Sequence, residues 1–279
     1  MAMKTLLACL MNRENADAVL AAAVPLARAH QAHLIGLHTI EALLVYPGIA
    51  IHVPDSTFRN FNESQAKEAK AIEAIFKKHT ANEDFPCEWR LVKAESSTAA
   101  TRMIESAHGA DVVIMPKEEN TFARADQNHA QERVIRESGR PVIIVPNDYD
   151  GPELGHNILL GWSDTREAAR AAHDALLVAQ DGCNINILRG TSRKTDELAD
   201  FGAIEIAAMF GRHGFSAQTA IKERGSADVA EVLMKQAFEQ GADMIVTGAF
   251  GHNRVYDFVI GAVTQSLLED SQLPVLFSA

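Results

Sequence analysis

The chain has few or none of the features that mark several protein classes. Its 279 residues include three cysteines, Cys9, Cys87 and Cys183, an odd number without C-x-x-C spacing. Such cysteines indicate neither a disulfide framework nor a zinc site, and they fit buried thiols in a reducing compartment. No run approaches the roughly 18 apolar residues that a membrane-spanning helix needs. We therefore expect a cytoplasmic protein that does not use a membrane as its partner.

Positive charge is also scarce. The 26 Lys and Arg residues stand against 37 Asp and Glu residues, which gives a net charge of −11. A chain with this charge is not expected to bind a nucleic-acid backbone or an anionic membrane surface. Hydrophobic residues make up 47% of the sequence, a value typical of globular proteins. The length is sufficient for two domains that each bury a core.

Common enzyme motifs are missing from the sequence. It contains no G-x-x-x-x-G-K-[ST], no G-x-G-x-x-G, no H-E-x-x-H and no G-x-S-x-G. The eleven histidines are scattered, without the spacing of metal ligands. We therefore predict no catalytic residues and no protein metal site.

The chain contains an internal repeat. Residues 109–114 return as 241–246, an offset of 132, whereas residues 32–38 align with 183–189, an offset of 151. The two offsets differ by 19, which predicts a net insertion of that length after the second strand of the first half. The insertion includes residues 45–54, and its apolar character favours packing on the other domain over covering a site. We predict two domains, residues 1–150 and 151–279, joined by the turn-forming linker 148–155.

In each half, short apolar runs alternate with helical patterns, which predicts an α/β fold of two tandem, doubly wound, Rossmann-like domains with parallel five-stranded sheets. The predicted strands are 4–10, 33–40, 86–92, 111–115 and 141–146, then 157–163, 184–189, 216–222, 243–248 and 273–278. The predicted helices of the second half are 165–180, 194–213, 227–240 and 262–270. Ligands of such sheets bind beyond the carboxyl ends of the strands, where the strand order reverses.

A glycine-bearing loop follows the fourth predicted strand of the second half. Gly248, Gly251 and Gly261 have the spacing G-x2-G-x9-G and precede a predicted helix. Glycine permits positive φ and close approach of the backbone to a ligand, and the free N–H groups of a helix start attract an anion. The alternative is that these glycines serve only turns and packing.

Motif and position together resemble the universal stress protein family, whose nucleotide-binding members carry G-x2-G-x9-G-[S/T]. The chain departs from that pattern at Ala262, which lacks the hydroxyl expected to touch phosphate. The resemblance covers both halves. It implies that the second half binds an adenine nucleotide, preferably ATP, which can carry a bound Mg²⁺ ion. It also implies a stress-response sensor or switch, and fifth strands that pair across a pseudo-two-fold axis to form an intramolecular dimer.

The resemblance also assigns candidate nucleotide-binding residues. The family's acidic residue after the first strand is replaced by Ser163, so the adjacent Asp164 either substitutes for it or caps the next helix. Arg189, at the end of the second strand, is expected beside the adenine. Arg254 and His252 either contact the ligand or remain in solvent. The predicted set is Gly161, Ser163, Asp164, Leu188, Arg189, Thr247, Gly248, Gly251, His252, Arg254, Gly261, Ala262, Val263 and Thr264.

The first half has no such loop, because Pro116, Lys117, Glu118 and Glu119 follow its fourth strand. Proline lacks an N–H, and the two glutamates put negative charge where phosphate would lie. We therefore predict one nucleotide per chain. The alternatives are a nucleotide-independent scaffold or dimerisation protein with decayed sites, and a slow ATP hydrolase. A further homodimer and a protein partner of unidentified nature are compatible with each of them.

Overall fold

The computed structural model describes residues 3–41, 54–94, 97–118, 129–151, 153–191, 200–251 and 261–279. In the first half it contains β1 Thr5–Cys9, α1 Arg13–His30, β2 His33–Glu41, α2 Asp55–Thr80, β3 Cys87–Ala94, α3 Ala99–Ala107, β4 Val112–Pro116, α4 Ala130–Glu137 and β5 Val142–Val145. The second half contains β6 Asn157–Gly161, α5 Arg166–Ala175, β7 Asn184–Thr191, α6 Phe201–Arg212, β8 Ser216–Glu223, α7 Val229–Glu239, β9 Met244–Gly248, α8 Ala262–Asp270 and β10 Val275–Ser278. Strands and helices alternate, as the sequence pattern predicts.

The strands form one sheet with the order β3-β2-β1-β4-β5-β10-β9-β6-β7-β8. All pairings within each half are parallel, and the halves join where β5 and β10 run antiparallel, with Leu276 opposite Ile143. The order is the same read outward from this seam, so the two halves are related by a pseudo-two-fold axis. The predicted α/β class and the predicted pairing of the fifth strands are confirmed.

Hydrophobic side chains cover both faces of the sheet. One layer contains residues of α1, α2, α5 and α6, and the other contains residues of α3, α4, α7 and α8. Each layer continues across the β5–β10 seam. Every residue of β4 and β5 is buried, because these central strands are covered on both faces. Their unbroken apolar runs are typical of parallel strands between two helical layers.

The repeated Gly-Ala-Asp sequence has the same structural use in both halves. Asp111 Oδ2 accepts hydrogen bonds from the backbone N–H groups of Lys4 and Thr5, at 2.7 and 2.9 Å. Asp243 accepts from the N–H groups of residues 155, 156 and 157, at 2.8, 2.7 and 2.6 Å. Each aspartate therefore satisfies donors at the start of its half's first strand, and burial raises the pKa of Asp243.

Three sequence expectations need correction or comment. Cys9 and Cys183 are buried, but Cys87 is exposed because it begins the edge strand β3. The extra length of the first half is partly helical, since α2 has 26 residues and its counterpart α6 has 12. The apolar part of the predicted insertion falls mainly on residues 42–53, outside the described residues.

No helix in the described part of the chain is long and apolar enough to cross a membrane.

Candidate functional site

A cavity of about 370 Å³ opens at the carboxyl ends of β6, β7 and β9. The chain leaves β6 for β7 on one side and returns to β9 on the other, so the strand order reverses here. Open α/β sheets bind ligands at such a point. The described residues that line the cavity are Gly161, Trp162, Ser163, Thr165, Glu167, Leu188, Gly190, Val229, Leu233, Thr247, Gly248, Phe250, Gly251, Gly261, Ala262, Val263 and Thr264.

Most of the residues predicted from the sequence meet in this cavity. The ten that line it are Gly161, Ser163, Leu188, Thr247, Gly248, Gly251, Gly261, Ala262, Val263 and Thr264. Asp164 and Arg189 are not among the lining residues. His252 and Arg254 fall on residues 252–260, outside the described part of the chain.

Asp164 does not cap α5. The side chain that caps α5 is Thr165, whose Oγ1 accepts from the N–H of Ala168 at 3.2 Å. Asp164 instead forms an ion pair with Arg189, at 2.9 Å between Nη1 and Oδ2. The same Nη1 lies 3.2 Å from Asp200 Oδ2, so Arg189 joins the end of β7 to the start of α6. These charges stabilise the sheet edge beside the cavity.

The three motif glycines have distinct uses, and none of them has positive φ. A Cβ on Gly248 would lie 2.6 Å from backbone atoms of Ala168 and Glu167, so this glycine allows α5 to pack on β9. A Cβ on Gly251 would lie 2.8 Å from Glu167 Oε2, whereas one on Gly261 would have no described atom nearer than Thr264 Oγ1 at 4.0 Å. Among the described loop residues, Phe250 is left-handed, with φ 63°. The expectation of positive φ at these glycines was wrong; close approach explains Gly248 and Gly251.

The start of α8 supplies hydrogen-bond donors to the cavity wall. Its first residues, Ala262, Val263 and Thr264, are lining residues, and Gly261 provides no side-chain cap. The first N–H groups of a helix have no partner within the helix. Together with the helix dipole they favour an anion at this end of the cavity.

Another wall of the cavity is apolar, and one described lining side chain is acidic. Leu188, Val229 and Leu233 form the apolar wall. Glu167 is the only charged side chain among the described lining residues, and it is 7% exposed. It forms an ion pair with Arg166, which is itself exposed. The sequence did not single out Glu167, because an acid in the first turn of a helix is also the usual partner of the helix dipole.

The equivalent helix start of the first half holds a carboxylate of the chain itself. The offset of 132 places His129 and Gln131 at the positions of Gly261 and Val263. Their N–H groups donate to the carboxylate of Glu118, at 3.0 and 2.7 Å. Burial raises the pKa of Glu118, and these two backbone donors oppose that rise. The negative charge that the sequence predicts in the first half is therefore the carboxylate of Glu118, which accepts from the backbone donors of this helix start. In the second half the equivalent donors face the cavity.

Other lining residues were missed by the sequence analysis. Trp162 directly follows β6, so its place after a parallel strand was a usable signal. Val229 and Leu233 lie one turn apart on α7, a spacing that indicates only a buried helix face. The left-handed conformation of Phe250 has no sequence signal. Among the described residues, no group of three or more His, Cys, Asp or Glu side chains could hold a metal ion.

Comparisons with known proteins agree with this architecture. A sequence model of the universal stress protein family matches the chain twice, over residues 3–146 and 156–278. A universal stress protein from Synechocystis is 24% identical over 168 residues, which span 60% of this chain and 57% of that protein. The crystal structure of a universal stress protein from Archaeoglobus fulgidus has a TM-score of 0.69 at 18% identity, covering 98% of this chain and 95% of that one. A functionally unknown protein from Pseudomonas aeruginosa has a TM-score of 0.57 at 14% identity, covering 99% and 92%.

Proposed function

Because this chain belongs to the universal stress protein family and carries the family's domain twice, we propose that its second half, residues 151–279, binds one adenine nucleotide. The observation that carries the proposal is the start of α8, whose N-cap residue Gly261 has no side chain to cap it and which lines a cavity with an apolar wall. The first half, residues 1–150, has its equivalent donors occupied by Glu118 and takes no nucleotide.

The two walls of the cavity suit the two ends of a nucleotide. The adenine packs on Leu188, Val229 and Leu233, and the phosphates accept hydrogen bonds from the N–H groups at the start of α8. A volume of about 370 Å³ lies within the range of small-molecule sites. Ala262 contributes its backbone but no hydroxyl, so the N–H groups carry more of the phosphate binding than the family pattern implies.

We propose ATP as the nucleotide and a stress-response sensor or switch as the role. Mg²⁺ binds proteins through one or two carboxylates together with substrate phosphates and water. Glu167 fits as the one carboxylate for such an ion, because it lines the cavity beside Gly251. When bound, Mg²⁺ would neutralise phosphate charge that otherwise meets this carboxylate.

A titration of the whole chain tests the proposal. Calorimetry with ATP and Mg²⁺ should give one site per chain, and a mass spectrum of material released on denaturation should contain an adenine nucleotide. Two equal sites per chain would contradict the assignment of Glu118. An absence of binding at millimolar ATP would favour the nucleotide-independent scaffold.

A proline variant tests the start of α8 directly. Proline is tolerated at the first position of a helix but has no N–H. Ala262→Pro should therefore weaken ATP binding by about ten- to a hundredfold, since a hydrogen bond to a charged group contributes about 1.5–3 kcal/mol. Ala262→Gly, which keeps the N–H at the same position, is the matched control and should keep wild-type affinity.

A further inference from the structure

One side chain of the first half contacts a residue that lines the cavity of the second half. Arg136, on α4, places its guanidinium over the ring of Phe250, with 4.6 Å between the guanidinium carbon and the ring centroid. Phe250 is a lining residue of the cavity and lies between Gly248 and Gly251. The contact is therefore a cation–π interaction that joins the first half to the glycine loop of the second.

The residue that Arg136 contacts has a strained backbone. Phe250 has φ 63°, in the left-handed region that residues with a Cβ rarely adopt. A non-glycine residue in that region costs about 1–3 kcal/mol and persists where its surroundings hold it. The ring of Phe250 packs against the hydrophobic layer that contains residues of α4 and α8. Arg136 covers the ring and adds to that support.

The helix that carries Arg136 is fixed near both of its ends. At its start, Glu118 accepts from the N–H groups of His129 and Gln131. Just beyond its end, the carbonyl of Gly139 accepts from Arg170 Nη2 at 2.7 Å. Arg170 belongs to α5, the helix whose first turn carries Glu167 in the cavity. The position of α4 is thus set relative to two walls of the ligand site.

We propose that Arg136 is a positioning residue for the ligand cavity of the second half. Through Phe250 it holds the loop from Gly248 to Gly251, and Glu118 holds α4 in the place from which Arg136 does so. The first half therefore contributes to ligand binding in the second half, although the start of its own helix α4 is occupied by the carboxylate of Glu118. The effect on affinity rests on the proposed function, whereas the effect on the loop does not.

The loop can be tested without any ligand. Hydrogen–deuterium exchange of the peptide that covers residues 247–251 should be faster in Arg136→Met than in the wild-type protein, because the ring loses its cation. Arg136→Lys keeps a cation over the ring and should restore slow exchange. Arg133→Met is the matched control, since Arg133 lies on the same helix and pairs with Glu137. Unchanged exchange in Arg136→Met, at unchanged thermal stability, would overturn the proposal.

The ligand arm separates positioning from direct phosphate contact. Arg136→Met should weaken ATP and AMP binding by the same factor, about three- to thirtyfold for a contribution of about 0.5–2 kcal/mol. In a Phe250→Leu background, Arg136→Met should have no further effect on the affinity for either nucleotide. Glu118→Ala should also weaken nucleotide binding, because α4 loses a contact that holds it in place. A larger loss for ATP than for AMP, or additive losses with Phe250→Leu, would show that Arg136 contacts phosphate and would overturn the positioning role. If the wild-type protein binds no nucleotide, the proposed function fails while the exchange result still decides the role of Arg136.

Discussion

We expect Glu167 to affect which charge the cavity accepts. Its carboxylate is 7% exposed, lies beside Gly251 in the cavity lining and is paired with the exposed Arg166. Two unit charges a few ångströms apart repel by several kcal/mol at the effective dielectric of a protein surface, about 20. A nucleotide with more phosphates therefore meets more repulsion from Glu167 unless a cation lies between them.

We expect Glu167→Gln to raise ATP affinity by about tenfold or more when a chelator removes divalent cations, because the like charge is lost. AMP should gain less, and adenosine should not change. Titrations of the three ligands against both proteins check this order. A uniform gain for all three would show that the substitution acts on cavity shape and not on charge.

The residues of the site differ in how far the sequence alone could identify them. The glycines, Ser163 and Thr264 were predictable because they follow strands of a parallel sheet or begin a helix in a known motif. Glu167 was not, since its pattern is also that of a helix-dipole partner. The contact of Arg136 with Phe250 joins residues 114 positions apart in different halves, and no local pattern encodes it. Of the two uses considered for Asp164, the cap was wrong because Thr165, one residue later, supplies it.

At the scale of elements, the packing of α5 on β9 depends on Gly248. A Cβ there would lie 2.6 Å from backbone atoms, which cannot move aside as the end of a side chain can. Gly248→Ala should therefore lower the free energy of unfolding by about 1–3 kcal/mol. Gly261→Ala, with φ −66° and no atom of the described residues nearer than 4.0 Å, should leave stability within about 0.5 kcal/mol. Urea unfolding of both variants measures the difference, and equal stabilities would show that α5 shifts to accept the methyl group.

The strands were predicted to within two residues, because buried parallel strands give unbroken apolar runs bounded by turn formers. The helices were predicted less well. The pattern extended α5 to residue 180, but the helix ends at Ala175. There the chain turns, and the N–H of Gln180 donates to the carbonyl of Gly155 at 2.9 Å, a long-range contact that apolar spacing does not report.

At the scale of the whole molecule, the two halves should unfold together. Both hydrophobic layers cross the β5–β10 seam, so neither half can expose its core alone without exposing part of the other. The two tryptophans of the chain report on different halves, Trp89 on β3 and Trp162 beside the cavity. In Trp89→Phe and in Trp162→Phe, the fluorescence midpoint in urea should equal the circular-dichroism midpoint. A fluorescence midpoint that differs from the circular-dichroism midpoint in either variant would show that the halves unfold independently.

The two halves that meet at the antiparallel seam between β5 and β10 can differ in sequence at equivalent positions. When two identical chains meet across a two-fold axis, every substitution occurs on both sides of it. Here one polypeptide supplies both sides, so equivalent positions differ: Glu118 and Phe250 are 132 residues apart and occupy the same place in their halves. One is an acid that fills its own helix start, and the other is an aromatic ring beside an open cavity. Covalent fusion thus permits the two halves to specialise, so that the second half keeps an open cavity while the first half packs against it and stabilises it.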